Sequence, residues 1–450
     1  MNQRRGKKLF TAKWIGLMVA GMLAAGGWAA EDTSDIREQL RALQRQNEAL
    51  REELLRQQQL IDSLTNKVNK LEVAGAEHER ERGQVKAEKE GAEAPAKPPG
   101  WLQLGKVHVS GEGGVGFTHT TRQGEGRHAE FRVDEARLFI EAPIGLDVFL
   151  FSELNLATRE QAGLNLQLGE LYLDVENVSK LWGQERMLNL RLGRLDIPFG
   201  EEYLMRDAID NPLISHSLPD FWGVDEGAEV YGRLGQVAYV LAVQNGGMPT
   251  EANFTADKSV TGRVSYDPAR WLHLGASAMR TGDLNVQNDK MSQLWFANGF
   301  FRSLGSSNTT GFHANLVQGD VQVRLARGHF GASGGFIRYG DNDPRACNGR
   351  NIYFYSLEGV HDLTRKLYAG ARFSHILAQD GFPLVGNGDF GEYFYRELTR
   401  DLWRLSLGAG YRWNPNLVFK VEYTLERGKD YPSGNRNWCD TISAEAVFRF

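Results

Sequence analysis

From Trp101 to Phe450 apolar and polar residues alternate, and this period of two limits the fold more than any other feature. Successive side chains of a β-strand point to opposite faces, so sustained alternation marks strands with one apolar and one polar face. Leu417 to Glu426 is the clearest case. Leu417, Phe419, Val421, Tyr423 and Leu425 share one face, and Val418, Lys420, Glu422, Thr424 and Glu426 the other. A soluble sandwich alternates in the same way, so the connections have to decide. About sixteen such segments, from 102–118 to 439–450, are joined alternately by very short turns and by longer, polar, Gly-rich loops. The turns include Pro143-Ile144-Gly145, Asp267-Pro268-Ala269 and Asn414-Pro415-Asn416. An even strand count and aromatic residues near strand ends (Trp271, Tyr368, Trp403, Tyr411, Trp413) complete the signature of an outer-membrane barrel. The alternation therefore predicts an all-β, 16-stranded antiparallel transmembrane β-barrel over 101–450, with outer-membrane lipid as a partner.

The first 30 residues have a different character. Arg4, Arg5, Lys7, Lys8 and Lys13 precede an apolar run from Trp14 to Ala25 and the small-residue stretch GGWAA, as in a secretory signal peptide. Cleavage after Ala29 places Gly27 and Ala29 at the two small-residue positions. It removes five basic residues and no acid, taking the formal net charge from −5 to −10, which argues against nucleic acid as a partner. No other stretch approaches the roughly 18 apolar residues of a spanning helix, so a membrane location requires a closed sheet.

Between signal and barrel the period is 3.5. Ile36, Leu40, Leu43, Asn47, Leu50, Leu54, Gln57, Ile61, Leu64, Val68 and Leu71 alternate by four and three, giving the a/d seam of an N-terminal α-helical coiled coil in 31–72. A lone helix would leave that seam wet, so the pattern predicts self-association. Asn47 at an a position is common in dimers, and the remaining a and d residues leave the strand number open. Residues 73–100, ending in PAKPPG, read as a charged, Pro-containing linker.

The last strand places Ile442, Ala444, Ala446, Phe448 and Phe450 on one face. A C-terminal Phe with a second aromatic two residues earlier resembles the signal by which the barrel-assembly machinery recognises its clients. Several internal segments resemble the phosphate-selective porin O and P family: LRLGRLDIPFG at 190–200, DEGAEVYG at 225–232, LAVQNGG at 241–247 and LHLGASAM at 272–279. That resemblance implies a trimeric 16-stranded porin, often carrying a periplasmic coiled coil, with an anion-selective lumen lined by Arg and Lys.

The residues fit that lumen only in part. From residue 101 onward 28 Arg and 7 Lys face 42 acids. Strand parity points Arg137, Arg191, Arg263, Arg324, Arg372, Arg404 and Arg412 inward, together with Glu135, Glu141, Asp147, Glu153, Glu229, Glu358, Glu422 and Glu445. Such a set reads either as a basic ladder or as a mixed-charge wall that keeps a channel hydrated, and the balance favours the wall. The loop Pro198 to Gly223, where porins fold a segment into the pore, carries Glu201, Glu202, Asp207, Asp210 and Asp220 against Arg206. It predicts a constriction hostile to phosphate.

Other motifs carry no chemistry. GEGGVG at 111–116 fits a dinucleotide pattern but lies inside a strand and opens no helix. The ten His show no metal-ligand spacing, and no Ser, His and acid set emerges, so no catalytic residue, metal or cofactor is expected. Cys347 and Cys439, both in expected external loops, are a candidate disulfide. The leading functional reading is a porin for passive diffusion of small hydrophilic solutes or ions. The alternative is a structural barrel sheathing a partner such as a multihaem cytochrome in an electron conduit.

Overall fold

The computed structural model describes residues 102–104, 106–121, 128–157, 166–205, 207–246, 256–286, 308–343, 345 and 348–450. The expected signal peptide, coiled coil and linker lie outside the described residues, as do Arg206 and Cys347.

Sixteen long strands form one closed antiparallel sheet. They are β1 (Val107–Thr120), β2 (Glu130–Pro143), β3 (Val148–Ala157), β4 (Gln167–Val175), β5 (Asn189–Asp196), β6 (Val224–Leu234), β7 (Val237–Gln244) and β8 (Ser259–Ala269). The second half comprises β9 (Leu272–Arg280), β10 (Gly311–Leu325), β11 (Gly328–Asp341), β12 (Arg350–Asp362), β13 (Leu367–Phe382), β14 (Leu398–Asn414), β15 (Leu417–Tyr431) and β16 (Cys439–Arg449). Each strand pairs with its neighbours in sequence. β16 closes on β1 in the register Thr441↔Thr120 to Arg449↔Glu112, so the sheet has no free edge along this seam.

The seam also shows what the terminal aromatics do. Phe448 lies opposite Gly113, and Phe450 exchanges backbone hydrogen bonds with Gly111 at 2.9 and 3.1 Å. A Cβ at Gly111 or Gly113 would stand 2.7 or 2.8 Å from those rings, so the rings cover two glycines of β1. Aromatic cover of this kind replaces packing that a glycine strand lacks.

The two faces of the wall differ as the alternation requires. Outward residues such as Leu241, Val264, Val317, Leu357, Leu407, Val421 and Ile442 stay exposed, as a lipid-facing band must. Trp271, Phe330, Tyr411 and Trp413 lie outward near the short turns, and Tyr353, Tyr355 and Tyr423 toward the long loops. These two groups occupy the levels of interfacial aromatic girdles.

The inward face is mostly polar, with one exception that alternation did not reveal. In the loop-end halves of β9–β14 the inward residues are also apolar: Met279, Phe312, Ala314, Leu316, Ile337, Tyr339, Ile352, Phe354, Ile376 and Leu402. They form a buried core with Ile197, Phe199 and Phe221 at the two roots of the β5–β6 loop. Phe221 packs edge-on against Phe199 at 5.2 Å and Phe354 at 5.1 Å. Part of the lumen is therefore dry.

Candidate functional site: the lumen and its in-folded loop

The β5–β6 loop begins and ends in that core and crosses to strands about half-way round the ring. Its root is fixed by Gly200, whose backbone takes a left-handed φ of 75° and whose N–H donates to Ser277 Oγ at 3.1 Å. Glu201 then pairs with Arg263 on β8 and lies 3.0 Å from His273 Nε2 on β9.

On the far wall, β15 grips the loop by its backbone. Lys420 Nζ donates to the carbonyls of Ala208, Asn211 (2.6 Å) and Leu213 (3.4 Å). Two residues on, the Glu422 carboxylate accepts the N–H groups of Ile214 and Ser215 and the Ser215 hydroxyl, Ser215 N at 2.8 Å. A cation on carbonyls beside an anion on amides meets both halves of a peptide's hydrogen-bonding need, and both side chains are buried. β13 and β14 reinforce this grip. Arg372 donates to Ser215 O at 2.6 Å and Asn211 Oδ1 at 2.9 Å, Tyr368 to Pro212 O at 2.9 Å, and Arg404 to His216 O at 3.3 Å. Leu213 seats against Gly408, where a Cβ would come within 2.6 Å of it.

The inward arginines are paired. Arg137 reaches Glu135 and, at 3.2 Å, Asp207; Arg191 bonds Asp174 at 2.9 Å and Glu229 at 3.1 Å beneath the rings of Tyr172 and Tyr231. Arg372 pairs with Glu358, Arg404 with Glu426 at 2.9 Å, and Arg412 with Asp362 at 2.7 Å while covering the Tyr368 ring. Arg324 has inward parity but stands exposed at the turn-end rim. Among the described residues, then, the arginines that line the lumen do not form a row of free cations.

The loop acids require a correction to the sequence reading. Counted within the loop they give a negative constriction, but wall arginines neutralise three of them. Glu201 meets Arg263, Asp207 meets Arg137, and Asp207 and Asp210 meet Arg449 at 3.0 and 2.7 Å. The cause is topological, since the partners lie on strands remote in sequence. Arg449 and Lys420 were missed as loop contacts, with their inward parity the one signal open to sequence reasoning, and Tyr368, read there as an interfacial aromatic, is instead buried inside the barrel against the loop. Cys439 is buried with its Sγ 3.8 Å from the Thr121 carbonyl, and its expected partner lies outside the described residues.

No protein-family model matches the chain, and no curated protein matches it in sequence. Solved structures do match in fold. The outer-membrane channel DcaP of Acinetobacter baumannii aligns with a TM-score of 0.51 at 12% identity, over 76% of this chain and 97% of that one. An anion-selective porin from Comamonas acidovorans gives 0.50 at 9% identity over 76% and 99%. OmpF of Salmonella typhi gives 0.50 at 11% over 76% and 97%. The chain has the fold of outer-membrane porins.

Proposed function

We propose that this barrel sits in the outer membrane, short turns toward the periplasm, and passes small hydrophilic solutes or ions by passive diffusion through a water-filled channel. A 16-stranded barrel encloses a lumen wide enough for an aqueous path. The observation that carries the reading is the crossing loop, which divides that lumen. One side is the apolar core of β9–β14. The other is the half-exposed, charged wall of β2–β6, with Glu135, Arg137, Glu153, Tyr172, Arg191 and Tyr231, and there water and solutes pass. The loop and the apolar core occupy part of the lumen, which favours a channel over a barrel that sheathes a multihaem cytochrome.

Because the arginines are paired, the path lacks the free basic ladder that the resemblance to phosphate-selective porins implies. Permeation is weakly cation-favouring or nearly unselective. Self-association as a homotrimer, a periplasmic coiled coil in 31–72 and delivery by the barrel-assembly machinery complete the proposal. The test is the reversal potential in a salt gradient across planar bilayers. Wild-type protein should give a value near zero or slightly cation-favouring. Asp207→Asn with Asp210→Asn should shift it toward anions, because two negative charges leave the loop while Arg137 keeps Glu135 and Arg449 keeps Glu112. Strong anion selectivity with micromolar phosphate block in the wild type would overturn this reading.

A further inference from the structure

Within the crossing loop the fold gathers three side chains whose spacing in sequence gave no metal signal. Glu202 opens the short 3-10 turn Glu202–Met205 on the outgoing arm, and His216 and Asp220 lie on the returning arm. His216 Nδ1 stands 4.0 Å from Glu202 Oε1 and 3.9 Å from Asp220 Oδ2. One donor atom from each residue lies within 4.8 Å of the other two. All three side chains are sheltered, at 25%, 18% and 10% exposure.

The separations point to a ligand. A directly hydrogen-bonded imidazole and carboxylate close to about 2.7–3.2 Å. Donors sharing a tetrahedral first-row cation, with bonds of about 2.0–2.2 Å, stand roughly 3.3–3.6 Å apart. The two measured spacings from His216 are too long for the first arrangement and a few tenths of an ångström wider than the second, so a bound cation would draw the two arms slightly together. One imidazole nitrogen with two carboxylates is also a donor set that suits Zn²⁺, with water completing the coordination. The surroundings hold the donors in place. Ser217 N donates to Glu202 Oε1 at 2.9 Å and Ser217 Oγ to Oε2, and Arg404 fixes the His216 backbone through its carbonyl. Supporting contacts of this kind orient metal ligands.

We propose that Glu202, His216 and Asp220 bind one divalent transition cation of the Zn²⁺ class, which staples the two arms of the crossing loop to each other. The site does not depend on whether the barrel conducts, so its test is binding. Folded, tag-free protein in detergent is titrated with Zn²⁺ at neutral pH by calorimetry and by competition with a chromophoric chelator. The expected result is one saturable Zn²⁺ per chain that Mg²⁺ does not displace. His216→Ala and Asp220→Asn should each weaken it at least about tenfold, while the barrel keeps its heat-modifiable migration. Zn²⁺ should also slow proteolytic cleavage within 197–223 in the wild type and not in His216→Ala. Equal binding by wild type and His216→Ala, or no Zn²⁺ bound at micromolar concentration, would overturn the proposal.

Discussion

Glu422→Ala tests how the crossing loop is held. The carboxylate accepts from Ile214 N, Ser215 N and Ser215 Oγ, and alanine leaves two backbone N–H groups without an acceptor unless the loop moves. Hydrogen bonds to a charged partner are worth about 1.5–3 kcal/mol each. Taking the lower value for the two backbone groups, because the lumen is partly wet, the docked state loses about 3 kcal/mol. At 1.4 kcal/mol per decade, the undocked population rises roughly 150-fold. Single-channel recording should then show flicker between the wild-type level and a larger one, with faster protease cleavage in 197–223. Glu422→Gln keeps an acceptor oxygen and should fall between the two. Wild-type conductance, noise and cleavage rate in Glu422→Ala would refute the idea that β15 holds the loop by its backbone.

Two further predictions concern assembly. Phe448→Ala with Phe450→Ala uncovers Gly111 and Gly113 at the closing seam, so the heat-modifiable band on gels should form more slowly and at lower yield. Wild-type folding kinetics would count against the closure role. A peptide spanning 31–72 should be helical and associated, and Leu54→Pro should abolish both, since Pro removes a backbone donor and clashes with the preceding turn. A monomeric, unfolded wild-type peptide at high concentration would contradict the coiled coil.

Strand positions were legible because alternation and turn chemistry are local. The alternating segment from Leu417 to Glu426 lies in the strand Leu417–Tyr431, and that read as 439–450 is Cys439–Arg449. In the structure Arg137, Arg372 and Arg404 pair with Asp207, Glu358 and Glu426. What the loop does was not legible, because Lys420, Glu422 and Arg449 meet it only through closure of the ring. The dry half of the lumen was hidden too. Phe312, Ala314, Leu316 and Val317 read as a strand whichever face is wet, and only the arrival of Phe199 and Phe221 makes the inner one dry. The cluster of Glu202, His216 and Asp220 depends on the loop folding back on itself, which spacing along the chain does not encode.

If the barrel conducts, water runs beside the charged wall and not through the apolar part of the lumen. With Cys347 and Cys439 replaced by Ser, single cysteines at Glu153 and at Leu316 can be compared for block of open-channel current by a charged, thiol-reactive methanethiosulfonate. Glu153 is half-buried on the charged wall, and Leu316 is 1% exposed in the core. Block should be rapid and reagent-dependent at Glu153→Cys and absent at Leu316→Cys. Equal modification at both positions, or block at Leu316→Cys alone, would contradict it.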